Sequence, residues 1–279
     1  MKTILCPVDY SPSATDGLDY LHQLIRWWRT DVRLILVNVD YLAPADPYAD
    51  GYAVAVGYRA SYQERTARLD ALIASLEERY ADPRIRYHPE VAFGETAESV
   101  AQLARSERAD LVVMGTAGAH GLEEVTAGTK AADVLVQALC PVLVIPEGTP
   151  FKPFKRLVFA TDAERSLSPQ MDTVLELAGL FEAEIAFLHV LDGEASPAKA
   201  EARANFNRIY QAITYENVSF HYTQNPNVEE GIIRFVRQTE ADLLVMTTHP
   251  RTLWQQLFSR SHTRHLAYWA EIPLLAIHP

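Results

Sequence analysis

The sequence predicts an α/β protein made of two tandem, doubly wound (Rossmann-like) domains, each with a five-stranded parallel sheet. Continuously apolar runs such as RLILVNV (33–39), DLVVM (110–114) and PVLVIP (141–146) are typical of parallel strands buried on both faces. Amphipathic helical segments at 61–81 and 95–109 lie between such runs. The same order of segments then occurs a second time further along the chain.

The chain is an internal repeat. KTILCPVDYSPSATDGLDYL (2–21) resembles KRLVFATDAERSLSPQMDTVLEL (155–177), since both run from a lysine through an apolar strand to an aspartate, a Ser-containing turn and a helix. ADLVVM (109–114) likewise returns as ADLLVM (241–246). Because ligands of doubly wound sheets bind beyond the carboxyl ends of the strands, each half is expected to have one candidate site there.

The spacing of matched residues reveals an additional segment in the first half. Val39 and Val190 are 151 positions apart, whereas Asp110 and Asp242 are only 132 apart. The difference of 19 residues falls after the second strand, near segment 41–60, which is rich in Tyr, Ala, Pro and Gly. We expect this segment to be a long loop that serves as a lid or a partner surface.

The domain boundaries follow from the repeat and from a proline-containing linker. EGTPFKPF (147–154) joins the two halves, and its prolines disfavour regular structure. The sequence therefore predicts one domain over residues 1–147 and a second over residues 154–279.

Composition excludes several classes of partner. The chain has 279 residues, 48% of them hydrophobic and 22% charged, with a formal net charge of −11. This negative charge argues against nucleic acid or an anionic membrane as the main partner. No run approaches the roughly 20 apolar residues of a membrane span. The first apolar run is also too short for a signal peptide, so a cytoplasmic protein is expected.

Glycines cluster directly after the fourth predicted strand, in MGTAGAHGLEEVTAGTK (114–130). Gly115, Gly118 and Gly128 allow the backbone to approach a ligand closely, and successive N–H groups in such a turn form an anion-binding nest. The helix predicted to begin at Thr129 adds unpaired N–H groups, so phosphate is a natural ligand. The spacing fits neither the GxGxxG dinucleotide-binding motif nor the P-loop motif. An alternative is that the turn needs these glycines only for its backbone conformation and binds no ligand.

The combined pattern resembles the universal stress protein family. It consists of Gly-x2-Gly-x9-Gly-Thr after an apolar strand, PVLVIP one helix later, and CPVDYSPSA (6–14) near the start. The resemblance covers essentially the whole chain as two tandem family domains. It implies a five-stranded parallel sheet in each, and binding of ATP or AMP, as in many members. For this chain it implies a regulatory protein of the stress response, with Mg²⁺ held mainly by phosphate oxygens.

The resemblance also implies roles for individual residues of the first half. The family's aspartate at the end of the first strand contacts adenosine, an apolar residue after the second strand touches adenine, and the glycine motif binds phosphate. Two positions depart from the family pattern, Ala117 in place of a common arginine and Lys130 in place of a small apolar residue. The expected nucleotide-binding residues are Pro7, Val8, Asp9, Val39, Met114, Gly115, Gly118, Gly128, Thr129 and Lys130.

The second half lacks the same glycines. Thr247, Pro250 and Arg260 occupy the positions of Gly115, Gly118 and Gly128, and only Ser261 remains at the position of Thr129. Asp162 and Val190 persist, but the backbone cannot approach a phosphate as closely. We therefore expect one nucleotide per chain, in the first half.

Pairing of the last strands is a further implication of the resemblance. VLVIP (142–146) and LLAIHP (274–279) can pair within one molecule as a pseudo-dimer. A homodimer and unidentified protein partners are also expected, because free strand edges invite pairing.

Alternatives to a nucleotide-binding regulator remain open. One is a slow ATP hydrolase or a protein that phosphorylates itself, and another is a nucleotide-free scaffold whose segment 41–60 and basic segment 259–265 bind protein partners. The chain has no GxSxG, HExxH or Walker lysine, so no catalytic or metal-ligating residue is assigned. In RWWRT (26–30), one tryptophan is expected in the core and the other near the surface.

Overall fold

A computed structural model describes residues 1–40, 51–116, 127–161, 170–191, 204, 206–247 and 272–278. In the first half, strands and helices alternate as the sequence predicts. The strands are β1 Lys2–Pro7, β2 Val32–Asp40, β3 Ile85–Phe93, β4 Leu111–Thr116 and β5 Val142–Pro146. The helices are α1 Pro12–Ile25, α2 Gly51–Tyr80, α3 Thr96–Ser106 and α4 Ala127–Gln137.

The second half repeats this order within its described residues. Its strands are β6 Arg156–Ala160, β7 Glu184–Leu191, β8 Val218–Gln224, β9 Leu243–Thr247 and β10 Leu274–Ile277. Its helices are α5 Met171–Phe181, α6 at 206–212 and α7 Val228–Gln238. Residues 248–271, between β9 and β10, lie outside the described residues.

The ten strands form one sheet in the order β3-β2-β1-β4-β5-β10-β9-β6-β7-β8. Each half contributes five parallel strands, which confirms the predicted doubly wound class. At the centre β5 pairs antiparallel with β10, so that Leu275 lies opposite Leu143. The last strands of the two halves therefore pair within one chain, which is the pseudo-dimer arrangement expected from the sequence.

Apolar side chains cover both faces of the sheet, and each core runs through both halves. In β1, Ile4 and Cys6 face one core together with α1, α2 and α5, whereas Leu5 faces the other with α3, α4 and α7. Both faces need apolar side chains because parallel strands are covered by helices on each side. This explains the continuously apolar strands of the sequence.

The first half's additional segment differs from the sequence prediction. A long loop was expected over 41–60, but residues 51–60 form the first turns of α2. Gly51 and Gly57 suggested a loop, yet the five residues between them are Tyr, Ala and Val, and neither proline nor a further glycine interrupts the helix there. The remainder, 41–50, lies outside the described residues.

The linker and the ends of α1 and α5 pack the halves against each other. The ring of Trp27 meets that of Phe181 edge-on at 5.0 Å, and Phe154 contacts the same ring at 5.1 Å. Trp28 is 3% exposed and Trp27 45%, which confirms the division between core and surface predicted for this pair. Lys2 Nζ also forms an ion pair with Glu176 Oε2 at 2.6 Å.

Helix α1 lies unusually close to the end of β4. A Cβ atom on Gly115 would lie 1.8 Å from the carbonyl oxygen of Ser13, and one on Gly17 would lie 2.8 Å from the Gly115 nitrogen. Neither glycine can carry a side chain without displacing backbone. Gly115 therefore positions α1, a role that differs from the phosphate contact assigned to it from the sequence.

His22 connects α1 to β3 and α2. Its Nδ1 bonds the Leu18 carbonyl oxygen at 2.6 Å, and its Nε2 bonds the Tyr87 hydroxyl at 2.8 Å. The Tyr80 ring stacks on the imidazole at 4.0 Å. Burial holds the pKa of His22 below its ordinary value of 6.5.

We predict that Gly115→Ala destabilises the protein by roughly 3 kcal/mol or more, since the added methyl group meets backbone that cannot rotate away. Urea unfolding monitored by circular dichroism gives this value. Gly179→Ala in α5 is the control, because a Cβ atom there meets nothing within 4 Å. This control is expected to be neutral or to stabilise by about 0.5–1 kcal/mol. Equal stabilities of the two variants would contradict the packing role.

We also predict that the free energy of unfolding decreases between pH 7.5 and pH 5.5. The lowered folded-state pKa of His22 means that the unfolded chain binds the proton first as the pH falls, which favours unfolding. Burial lowers the pKa of His221 and His278 in the same direction. In His22→Gln the decrease should be smaller, and an unchanged decrease would exclude His22 as a source.

Candidate functional site

The candidate site lies at the carboxyl ends of β1, β2 and β4. β1 and β4 are neighbours in the sheet, and the chain leaves β1 toward β2 but leaves β4 toward β5. Strand order therefore reverses between β1 and β4, and this switch point is where doubly wound sheets form a ligand crevice. Of the predicted residues, the structure places Pro7 at the end of β1, Val39 near the end of β2, and Met114 and Gly115 in β4.

The residues after β1 are fixed by a few specific bonds. Val8 is buried, and its N–H donates to the Val37 carbonyl at 2.8 Å. Asp9 is exposed and folds back over the start of α1, where its Oδ1 accepts bonds from the Ser11 N–H at 3.1 Å and the Ser11 hydroxyl at 2.5 Å. Ser11 in turn caps α1 by accepting from the Ala14 N–H. Among the described residues, Asp9 Oδ2 accepts no hydrogen bond.

An arginine of α2, which the sequence analysis did not identify, organises the end of β2. Arg65 Nη1 donates to Asn38 Oδ1 at 2.5 Å, and Arg65 Nη2 pairs with Asp40 Oδ1 at 2.6 Å. Asn38 also donates from Nδ2 to the Val8 carbonyl at 2.7 Å. Because Asn38 and Asp40 flank Val39, the half-buried residue expected to touch adenine, Arg65 fixes the backbone at that position.

A second arginine on the same helical face reaches the turn after β1. The Arg68 guanidinium lies 4.2 Å from the centre of the Tyr10 ring, in cation–π geometry. Tyr10 has a φ of 64°, a left-handed conformation that costs a non-glycine residue about 1–2 kcal/mol. Stacking on Arg68 offsets part of this cost. The sequence did contain a signal for this pair, because two arginines three residues apart in a helix that follows the second strand lie on one helical face.

The remaining predicted residues belong to the glycine-rich segment. Gly128 and Thr129 lie in the first turn of α4, which begins at Ala127, two residues before the predicted start. Lys130 follows in the same turn with an exposed side chain. Gly118 lies outside the described residues.

The second half keeps one cross-strand contact of the site with a different side chain. His189 Nδ1 donates to the Thr161 carbonyl at 3.0 Å, at the position where Asn38 donates to Val8. Thr247 occupies the position of Gly115 at the end of β9. Val190 is buried, whereas Asp162, Pro250, Arg260 and Ser261 lie outside the described residues.

The two thiols of the chain are unsuited to nucleophilic chemistry. Burial raises the pKa of Cys6 to about 12 and that of Cys140 to about 11, so both are protonated at neutral pH. They form no disulfide. Within the described ranges, no group of three or more His, Cys, Asp or Glu side chains could hold a metal ion. The last 31 residues contain four histidines, His249, His262, His265 and His278, of which only His278 is described.

No helix in the described part of the chain combines the length and apolar character needed to cross a membrane.

Comparison with known proteins identifies the family. The sequence profile of the universal stress protein family matches residues 1–146 and again 153–278. A universal stress protein of Methanocaldococcus jannaschii is 41% identical over 61 residues, which span 22% of this chain and 36% of that protein.

Solved structures match the complete tandem fold. A universal stress protein from Archaeoglobus fulgidus superposes with a TM-score of 0.64 at 14% identity, covering 99% of this chain and 96% of its own. A putative universal stress protein from Pseudomonas aeruginosa gives a TM-score of 0.56 at 15% identity, covering 100% and 94%. Because the identities are low, these structures support the fold alone. Membership of the family rests on the two profile matches, which together span nearly the whole sequence. The chain belongs to the universal stress protein family.

Proposed function

We propose that the first half binds one adenine nucleotide, ATP or AMP, as a cytoplasmic regulatory module of the stress response. The observation that carries this proposal is the exposed Asp9 carboxylate, held at the switch point beside the start of α1. One carboxylate oxygen is engaged by Ser11, which leaves the other for a ribose hydroxyl. The family contains a member solved in complex with cAMP.

The adenosine would lie against the ends of β1, β2 and β4. Asp9 would accept hydrogen bonds from the ribose, and Val39 would contact the base. Pro7, Val8 and Met114 would form the floor between the strands. The bonds from Asn38 to Val8 and from Arg65 to Asn38 hold these strand ends together, so the adenosine surface is formed before the ligand arrives.

The phosphates would lie toward α4. The first N–H groups of a helix have no partner within the helix, and the helix dipole favours an anion there. Gly128, Thr129 and Lys130 all belong to this first turn, and Lys130 adds a positive charge. Gly118 would contribute backbone to the same site, and Gly115 would contribute through its seating of α1. A bound Mg²⁺ would be held mainly by phosphate oxygens, which it prefers as a hard cation.

The second half would have a structural role. Thr247 occupies the position of Gly115, whose lack of a side chain allows a helix to pack closely against the strand. His189 occupies the position of Asn38. We therefore assign one nucleotide to each chain. Partner proteins are a compatible second element, because Val56, Tyr58 and Tyr62 expose apolar surface on α2 near the site.

Calorimetric titration of Mg·ATP into the nucleotide-free full chain is expected to give one site per chain. Gly128→Arg should abolish binding, because the side chain would fill the approach to the helix N-terminus. Gly179→Arg is the matched control, since a side chain at this exposed helical glycine meets open space. Two sites per chain would contradict the purely structural role of the second half. Absence of any heat of binding would contradict the proposal that the first half binds an adenine nucleotide. Phosphate release above that of Gly128→Arg would favour a hydrolase.

Arg65→Ala is expected to weaken nucleotide binding roughly threefold to thirtyfold, although Arg65 itself is not expected to contact the nucleotide. The reason is that the end of β2, which carries Val39, is no longer held by Arg65. Loss of its charge-assisted bonds to Asn38 and Asp40 should also reduce the free energy of unfolding by about 2 kcal/mol. Calorimetry and urea unfolding measure the two effects. Arg59→Ala, an exposed change on the same helix, should alter neither, and unchanged affinity in Arg65→Ala would remove Arg65 from the site.

A further inference from the structure

The hydroxyl of Tyr10 is buried and has no hydrogen-bond partner in the part of the chain that the structure describes. Such a group has lost its bonds to water without gaining others, which costs free energy. The backbone adds a second cost, because Tyr10 has a left-handed φ of 64°. Both costs fall on the residue directly after Asp9, the carboxylate to which we assign the ribose.

Other half-buried tyrosines of the first half do have partners. The Tyr80 hydroxyl donates to Asp19 Oδ1 at 2.6 Å, and the Tyr87 hydroxyl bonds His22 Nε2 at 2.8 Å. Each of these bonds joins two elements of the fold, so the hydroxyl contributes to packing. The Tyr10 hydroxyl makes no such contribution, which indicates that its partner is a group outside the described fold.

Tyr10 lies on the side of Asp9 that faces away from the phosphate positions. Its ring packs against α2, with the Arg68 guanidinium 4.2 Å from the ring centre. Helix α2 packs on β2 and β3, whereas β4 lies on the opposite side of β1 and leads toward α4. The phosphates are assigned to α4, so Tyr10 lies on the side of the nucleobase, together with Val39 of β2.

We propose that Tyr10 binds the nucleobase by donating its hydroxyl hydrogen to a ring nitrogen of adenine. This inference rests on the nucleotide binding proposed for the first half. Ring nitrogens of adenine are acceptors, and they are the natural partners of a hydroxyl donor that has no acceptor of its own. The Cα atoms of consecutive residues are about 3.8 Å apart, so one nucleoside can reach both Asp9 and Tyr10.

The state of the Tyr10 hydroxyl suits this role. Burial raises the pKa of Tyr10 above its ordinary value of 10.0, while the charges of Arg68 and Arg65 act against that shift, so the hydroxyl keeps its proton at neutral pH. Arg68 covers the ring but is exposed and forms no ion pair with any described residue, so it can turn aside as the base arrives. The hydroxyl gives up no bond when it meets the ligand, which makes the new bond worth more than usual.

Tyr10→Phe removes only the hydroxyl and leaves the ring stacked on Arg68. In calorimetric titrations of the full chain with Mg·ATP, the dissociation constant should rise about fivefold to thirtyfold. Scanning calorimetry of the free protein should show no loss of thermal stability, because the hydroxyl has no partner to lose. Tyr80→Phe should lower the thermal stability, since its hydroxyl is bonded to Asp19. Tyr210→Phe, at a tyrosine of the second half that is 61% exposed, should change neither quantity.

ATP analogues in which carbon replaces N1, N3 or N7 of adenine identify the acceptor. The natural chain should bind one of these analogues about as weakly as Tyr10→Phe binds ATP, and Tyr10→Phe should bind that analogue no more weakly than it binds ATP. Unchanged ATP affinity in Tyr10→Phe, a loss of thermal stability as large as that of Tyr80→Phe, or an equal effect of Tyr10→Phe on ATP and all three analogues would overturn the inference alone. Absence of ATP binding by the natural chain would overturn the proposed nucleotide binding as well.

Discussion

Helix α1 can begin close to β4 only because Gly17 and Gly115 both lack a side chain. Atoms of β4 and of the first turn of α1 occupy the space that a Cβ atom would need. This contact places Ser11 and Asp9 at the switch point, where the N–H and hydroxyl of Ser11 hold the carboxylate. The geometry of the candidate nucleotide site therefore depends on a packing constraint between a helix and the neighbouring strand.

The same constraint explains the asymmetry of the two halves. At a spacing of 153 residues, the buried Leu18, Leu21, Leu24 and Ile25 of α1 match Met171, Val174, Leu177 and Ala178 of α5, which are also buried. By that spacing Gly17 corresponds to Gln170, and at the spacing of 132 residues found near the end of each half Gly115 corresponds to Thr247. Both partners of the close contact are thus replaced together. Gln170 instead donates to the Leu139 carbonyl and accepts from the His278 N–H, which ties the second half to the first.

Repeated and apolar features were the most predictable from the sequence. Doubly wound topology followed from continuous apolar runs at matched spacings, and pairing of the last strands followed from the resemblance to the family. Asp110 and Asp242, used only as alignment markers, bind the backbone N–H groups that begin the first strand of each half. The predicted start of α2 was wrong, because the glycines within 51–60 suggested a loop where the structure has helix. Arg65 and Arg68 were missed because their contacts join α2 to distant strand ends, which no local pattern specifies.

Glycine motifs in this fold therefore carry two kinds of information. Gly115 is required by packing whether or not a phosphate binds. Gly128 lies in the first turn of α4, where N–H groups have no partner within the helix and can bind an anion. Loss of the first glycine alters the position of a helix, and loss of the second alters the surface that a ligand meets. In the second half both positions are changed, to Thr247 and Arg260. Replacing Arg260 by glycine would restore only the position that corresponds to Gly128. Thr247 and Gln170 would still occupy the two positions that, as Gly115 and Gly17, allow α1 to approach β4 in the first half.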